Sequence, residues 1–547
     1  MFKILYDNPK EDLITRLLKI RGIDDKPEDF INPSFKIYRK NPFDLNDMDL
    51  AIERIKKAIK TNQRIIIFGD YDVDGITSSY TLYMFFRKFL NYTNISIRLP
   101  SRIKDWYGIK THHIDEIKSL GWELIITVDN GITSIKEATY AQELWIDMII
   151  TDHHKNLDQI PEATAVINPH ISPKYPFKGL AGVWVVFKLI SALSQDLLNP
   201  TQKRELINFF LPVVATWTIA DMVPLLDENR LFAKKWLDLL NKGRGPKSLR
   251  NFIKHLNIKN IDSFHISFMI APRLNASWRM DSPYDALKTL LYSSGEKRNW
   301  HFSQLEELNT QRKTLQADLL KAAESLIDKS QPILIAAHPD FHEGIIWLIA
   351  GKLTEKYNKP SIVIAINQDK GIGVASLRSP SYFSTIDMLN SLSSCLIRYW
   401  GHAQAWGLTI SMEKLEEFKQ KAYEYWHKHI SPELLKKVVE VDTPLYPGET
   451  AQLVNIPLLA PFWESNPQPT LLFKDILVKE TSTVGKNGSS HLKIIWEFDW
   501  KLFSILFWKK GDFEEQIQKW VLYNLIWKIK QDSFNGWIYI EGVQIRD

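Results

Sequence analysis

Asp70, Asp72 and Asp74 fall within five residues, in the segment GDYDVDG (69–75). Three carboxylates that close repel one another unless a cation neutralises them. Asp129 closes the apolar run LIITV (124–128). Asp152, His153 and His154 follow DMII (147–150) and Thr151, and Asp221 stands in the apolar segment TIADMVPL (218–225). Carboxylates with one or two imidazoles suit Mn²⁺, and Mg²⁺ less well, because nitrogen favours the softer ion. Two such ions ~3.5–4 Å apart, sharing a carboxylate, activate a water and stabilise the leaving oxygen of a phosphodiester. Taken singly, the features are ambiguous. A DxDxD run also suits a calcium loop or a solvated turn, and a histidine pair is often satisfied structurally. An EF-hand is excluded, since no Glu stands at the twelfth loop position and an apolar run precedes. The ordered set, with its members placed after apolar runs, favours a metal site.

Those residues need a scaffold. RIIIF (64–68), LIITV and DMII are short apolar runs separated by helix-like segments, a pattern that predicts a parallel sheet buried on both faces. Ligands of such sheets bind beyond the carboxyl ends of the strands, which is where the acids fall. Residues 301–330, without Gly or Pro, predict a charged connector helix. The segments PILIAA, HEGIIWLIAGKL and PSIVIAI restart an α/β pattern over 331–430. From about 440, short strand-like runs with turns predict a small β-barrel, and an OB-type barrel suits single strands. The expected organisation is an N-terminal segment (1–45), a catalytic α/β domain (46–300), the connector (301–330), a second α/β lobe (331–430) and a β-domain (440–547).

The 547 residues are 45% hydrophobic and 24% charged, the composition of a globular chain with several cores. A net charge of +5 permits nucleic-acid binding without demonstrating it. The single cysteine, Cys395, excludes a disulfide framework and fits a reducing compartment. The opening MFKILYDNPKEDL has no signal-like apolar core, and no apolar run reaches ~18 residues, so a cytoplasmic protein without membrane partners is expected.

Together these segments resemble the DHH phosphoesterases. GDYDVDGITS (69–78), TVDNGI (127–132), TDHHK (151–155) and IADMVPL (219–225) are similar to that family's four motifs, in its order. GLAGVWVVFKL (179–189), RLNASWRM (273–280), HEGIIWLIAGKL (342–353), GVASLRS (373–379), WGHAQAWGLTI (400–410) and APFWESNPQP (460–469) resemble segments of its RecJ branch. The resemblance implies two Mn²⁺ or Mg²⁺ ions. Asp72 binds one, Asp74 the other, and Asp129 bridges them. His153 and Asp221 complete the second site and Asp70 supports the first. Where the family often has His, this chain has Phe68. Asp70, Asp152 and His154 are implied as catalytic, with His154 at the scissile phosphate. Arg102, Asn275, Arg279, Ser376, Arg378 and His402 are implied as substrate-binding, the arginines around a 5′-phosphate, which guanidinium forks pair bidentately. The implied activity is 5′→3′ hydrolysis of single-stranded DNA in repair and recombination, with a single-strand-binding protein or helicase as partner. Two other readings stand beside it: a phosphodiesterase of short oligonucleotides, and a catalytically dead nucleic-acid-binding scaffold.

Trp106, Trp145, Trp184, Trp217, Trp236, Trp278, Trp347, Trp400 and Trp463 stand where the family typically has Gly, with Trp406, Trp500 and Trp508 as further candidates. The chain holds 19 Trp and 23 Gly, against about 38 Gly at ordinary usage of roughly 7%. Either the protein has diverged, or these positions are glycine codons (UGA) rendered as tryptophan. Real indoles there are expected to crowd or displace backbone.

Overall fold

The computed structural model describes residues 2–546 apart from 103, 104, 106, 107, 156–158, 403, 432–434, 436, 437, 486–489, 509 and 532–537. The first lobe is built on five parallel strands: β1 (Ile65–Gly69), β2 (Ile95–Arg98), β3 (Leu124–Val128), β4 (Asp147–Thr151) and β5 (Ala165–Ile167), in the spatial order β2-β1-β3-β4-β5. Alternate residues of the central strands feed two cores: Ile65, Ile67, Leu124 and Ile126 enter one, Ile66, Phe68 and Ile125 the other. Burial on both faces is why the sequence reads as unbroken apolar runs rather than alternation. The order reverses between β1 and β3, so helix α1 (Val73–Met84) and the turn after β3 part at that point. A crevice opens there at the carboxyl ends. Helix α2 (Ile135–Glu143) covers one face, and α3 (Gly182–Leu197) with the helices Pro200–Ala220 and Asp227–Asn241 builds the larger core on the other.

Helix α4 spans Gly295–Leu326, 32 residues, or about 48 Å at 1.5 Å per residue. Its Phe302 and Leu305 belong to the first lobe's core, while Leu319 and Ala323 belong to the second lobe's. The helix is therefore a shared wall rather than a free tether. The second lobe is a mixed sheet of β6 (Leu334–His338), β7 (Ser361–Asn367), β8 (Ile372–Arg378), β9 (Leu396–His402) and β10 (Ala405–Ser411), in the order β9-β10-β8-β7-β6. Only β6 and β7 pair in parallel. Helix α5 (Ile346–Tyr357) packs on it.

The C-terminal strands β11 (Thr470–Val484), β12 (His491–Phe498), β13 (Lys501–Phe507), β14 (Leu522–Gln531) and β15 (Ile538–Arg546) form a ring, β11-β12-β13-β15-β14, which closes through β14 pairing back to β11. A closed five-stranded barrel removes the exposed edges and matches the OB architecture. The N-terminal residues pack on this barrel. Phe2–Ile4 pairs with Val439–Val441, and Leu13, Leu17, Leu18 and Phe30 enter the barrel's core. Arg16 is buried there, donating to both Glu449 oxygens at 2.8 and 2.7 Å and to Thr443 Oγ1 at 2.9 Å. A charge held that way is tolerable only because every contact is paired. Among the described residues, no helix is long and apolar enough to cross a membrane.

Candidate metal centre

Three strand ends and two helix starts meet in the crevice. Asp72 caps α1, its Oδ1 accepting from the Asp74 and Gly75 N–H groups at 2.9 and 3.2 Å. Gly75 is obligatory, because a Cβ would lie 2.5 Å from the Asp70 carbonyl oxygen. Asp74 points across to the N-terminus of α3, where its Oδ2 and Oδ1 accept from Gly182 N–H at 2.6 Å and Val183 N–H at 3.0 Å. That end of a helix favours negative charge. Asp129, at the end of β3, takes the left-handed conformation (φ 63°) that Asp tolerates. It is packed so tightly against α3 that a Cβ on Gly182 would meet Asp129 Oδ1 at 2.7 Å.

The two histidines are held in opposite states. His153 Nδ1–H donates to the Leu180 carbonyl at 2.9 Å, which leaves the Nε2 lone pair facing Asp129 Oδ1 at 3.1 Å and Asp74 and Asp221 at 3.8 Å. Burial, with the neighbouring His154 charge, pushes its pKa down to about 3, so it is a neutral imidazole, the form that ligates metals. His154 Nδ1 donates to Asp152 Oδ1 at 2.8 Å. Burial opposes its charge, but Asp152 prevails and lifts His154 to about 9. Asp152 is itself fully buried. It accepts from Ile132 N–H (2.9 Å), His153 N–H (2.7 Å) and His154 N–H (3.1 Å), and against burial His154 holds it down to about 2. Asp152 therefore positions the histidine pair and spends its lone pairs on protein donors.

At four of the remaining carboxylates burial and mutual repulsion outweigh the hydrogen bonds. Burial and then Asp72 raise Asp70 well above the carboxylate range; burial and then Asp74 do the same to Asp129 and Asp221. Asp74 rises to about 7 for the same reasons, burial and Asp72. Asp70 Oδ1 is buried without a hydrogen-bond partner. The donor atoms fall into two adjoining groups, Asp70–Asp72–Asp129 and Asp74–His153–Asp221, each within 4.8 Å. Asp129 also groups with His153 and His154, so it lies between the two. Five acids, one neutral imidazole and an orphaned oxygen fit divalent cations, whose charge would reverse the mutual repulsion. Phe68, buried against His113 at 5.0 Å between ring centres, contributes no donor to the first group.

The expected substrate residues divide. Arg102, Arg279 and Arg378 converge around two indoles: Arg102 and Arg279 lie over Trp278 at 4.8 and 4.9 Å, and Arg279 and Arg378 over Trp347 at 4.5 and 5.5 Å. Arg279 is buried, its Nε unpartnered. Burial, Arg312 and Arg102 lower it to about 9, and burial and Arg102 lower Arg378 to about 10. Ser376 Oγ accepts from Arg378 at 3.3 Å. Asn275 Oδ1 accepts from Val73 N–H at 3.1 Å and Trp278 Nε1–H at 2.7 Å, which ties this group to the start of α1. The side chain of His402 lies outside the described residues, as do Trp106 and the side chain of Trp400. Two residues escaped the sequence reading. Arg312, on α4, adds a fourth cation beside Arg279, but within a charged helix it resembles any solvated arginine. Asn130 donates to the Phe68 and Val128 carbonyls at 3.1 and 2.9 Å, fastening β1 to β3 below the acids.

Comparison with known proteins gives three family matches: the DHH family, N-terminal domain, over residues 64–216; the DHHA1 domain over 330–428; and the RecJ OB domain over 449–545. The chain is 30% identical over 485 residues to the single-stranded-DNA-specific exonuclease RecJ of Bacillus subtilis, covering 87% of this chain and 60% of that protein. It is 32% identical over 482 residues to the protein of the same name from Salmonella typhimurium, covering 83% and 81%. Among solved structures, RecJ from Thermus thermophilus in complex with Mn²⁺ superposes with a TM-score of 0.81, covering 98% of this chain and 76% of that one at 24% identity.

Proposed function

This chain belongs to the RecJ family, and we propose that it is a metal-dependent exonuclease that hydrolyses single-stranded DNA from the 5′ end, in DNA repair and recombination. The observation that carries this reading is the pair of adjoining donor groups at the crevice, with Asp129 of the first 3.1 Å from His153 of the second. Asp70 and Asp72 would hold one Mn²⁺ or Mg²⁺ and Asp74, His153 and Asp221 the other, with Asp129 placed to serve both. Mn²⁺ is favoured because the second group carries nitrogen. When bound, the ions supply an activated water and charge stabilisation at the leaving oxygen.

The chain's own groups do the rest. His154, kept cationic by Asp152, neutralises charge on the scissile phosphate. Asp74 is oriented by the α3 N-terminus and Asp129 by its turn, so neither reorganises during reaction. Arg102, Arg279 and Arg378, with Ser376 and Asn275 among them and His402 at the lobe junction, receive the 5′-phosphate and register the strand. A crevice flanked by two lobes and one shared helix suits a single strand rather than a duplex. Next to Asp221, a groove of about 1010 Å³ is lined by Met222, Lys234 and the exposed rings of Phe264 and Phe268. Bases of the strand stack there, as aromatic platforms take any base. A scaffold that had lost catalysis would have no reason to keep all six donors together. The barrel and connector exceed what a dinucleotide needs. A reducing, cytoplasmic setting agrees with the one buried thiol, Cys395, and a single-strand-binding protein or helicase supplies the free end.

The test is Mn²⁺-dependent nucleotide release from a 5′-phosphorylated single strand, beside a blunt duplex and an Asp129→Ala control. Release from the single strand alone, abolished by the substitution, is the expected result. A folded chain that is inert with Mn²⁺, or that cuts both substrates equally, overturns the proposal.

A further inference from the structure

Among the described residues, six helices end in the same motif, with the first residue past the cap in the left-handed region and paired N–H···O=C bonds reaching back over the last turn. Five of those residues are Gly22, Asn62, Gly121, Gly243 and Asn257. The sixth, after α2, is Trp145, at φ 56°, with its N–H on the Gln142 carbonyl and that of Ile146 on the Ala141 carbonyl, both at 2.9 Å. This position selects Gly, then Asn, because a side chain clashes there. The Trp145 ring recovers nothing for the strain, being 89% exposed.

The hairpin between β12 and β13 repeats the anomaly. Phe498 pairs with Lys501, and the two turn residues, Asp499 and Trp500, have φ 53° and 59°. That turn is a type I′, whose strongest sequence signal is Asp-Gly or Asn-Gly. Here the second residue is a tryptophan, 93% exposed. Trp520, at the approach to β14, is a third, at φ 65°. The chain has 27 Phe and 19 Tyr, and among the described residues none adopts a positive φ. Bulky aromatics as a class therefore avoid this region here, and tryptophan alone does not. A second observation is independent of backbone conformation. The indole N–H groups of Trp184, Trp217, Trp236, Trp347, Trp406, Trp463, Trp496 and Trp527 are buried without a hydrogen-bond partner, although a buried Trp normally finds one. Trp184 is also pressed to 3.9 Å from Phe232, ring centre to ring centre at a 40° tilt, inside the usual ~4.5–7 Å.

We infer that the gene carries UGA at positions 145, 500 and 520, and that the protein as its own cell makes it has glycine there. UGA is read as tryptophan in one variant of the genetic code and as glycine in another, so a single reading difference places tryptophan at glycine-demanding sites. Of the buried orphans, those at 184, 217, 236, 347 and 463 also stand where the family typically has Gly, and they belong to the same codon. Trp122, lying under Arg64 at 4.3 Å, and Trp426, stacked on Phe383 at 5.5 Å, have ordinary backbones and defined partners and are true tryptophans.

Sequencing these codons, with peptide masses from protein purified from its source, tests the inference. UGA with a glycine mass at 145, 500 and 520, and UGG with a tryptophan mass at 122 and 426, is expected. UGG, or a tryptophan mass, at 145 or 500 overturns it. A second measurement uses the full-length recombinant chain as written. Trp145→Gly with Trp500→Gly raises the unfolding midpoint by a few degrees, whereas Trp426→Gly lowers it; a fall for the first pair counts against glycine being native there.

Discussion

Replacing Gly182 by Ala tests the metal-centre geometry without touching a ligand. The added Cβ would lie 2.7 Å from Asp129 Oδ1, 2.8 Å from its Cβ and 2.9 Å from its Cγ. Ordinary contact begins near 3.4 Å, so Asp129 or the start of α3 must retreat by about 0.7 Å. Either movement harms the same site. Asp129 lies between the two donor groups, and the Gly182 N–H orients Asp74. A displacement near 1 Å in a reacting constellation costs on the order of 10²-fold in rate, while one extra methyl in packed structure costs about 1–3 kcal/mol of stability. The expected outcome is a 10–100-fold fall in Mn²⁺-dependent release from single-stranded DNA (order of magnitude from the displacement), with far-ultraviolet circular dichroism unchanged. The rise in unfolding temperature on adding Mn²⁺ shrinks in parallel. Undiminished hydrolysis together with an undiminished Mn²⁺ response would refute the placement of Asp129 between two ions.

Mn²⁺ itself should stabilise the wild-type chain by about 2.7 kcal/mol per site at a hundred times the dissociation constant, read as a raised unfolding midpoint; Asp70→Asn and Asp221→Asn should each weaken that response, and a chain indifferent to Mn²⁺ and Mg²⁺ contradicts the donor assignment. Asp152→Asn should return the His154 pKa from about 9 toward its ordinary value, read by NMR titration of the metal-free protein. The sign for stability follows from the pair: His154's raised pKa contributes fully below ~6.5 and is lost as pH rises through about 9, while Asp152's lowered pKa contributes above ~3.9 and is lost as pH falls through about 2. Wild-type stability relative to Asp152→Asn should therefore decline between about pH 6.5 and 9, and a flat difference across that window contradicts the ion pair. Phe264→Ala with Phe268→Ala should weaken binding of a long single strand by about 1–3 kcal/mol per lost stack and spare hydrolysis of very short ones; equal effects on both lengths would remove the groove from the strand's path.

The acids were legible because parallel strands buried on both faces leave apolar runs, and polar residues at their ends stand out against them. The same logic missed β2, whose ISIR is half exposed at the sheet edge, and β5, only three residues long. The connector helix was visible from its lack of Gly and Pro, yet nothing in its composition distinguished Arg312, which is buried and hydrogen-bonded to Asn309, from arginines that face water. The N-terminal helix Leu13–Ile20 carries an apolar face whose partner is a barrel more than 400 residues away, and no local pattern encodes that pairing. Trp520 carried no sequence signal; only its backbone conformation revealed it.

That N-terminal helix has a consequence for synthesis. Arg16 and its partner Thr443 are 427 residues apart in sequence. At translation speeds of about 5–20 residues per second, roughly 20–85 s separate the emergence of Leu13, Leu17 and Leu18 from that of the barrel that covers them. Throughout that interval this apolar face has no native partner. Both lobes emerge while it waits, and the barrel is the piece that covers it. A chain interrupted between the second lobe and the barrel would carry Leu13, Leu17 and Leu18 uncovered.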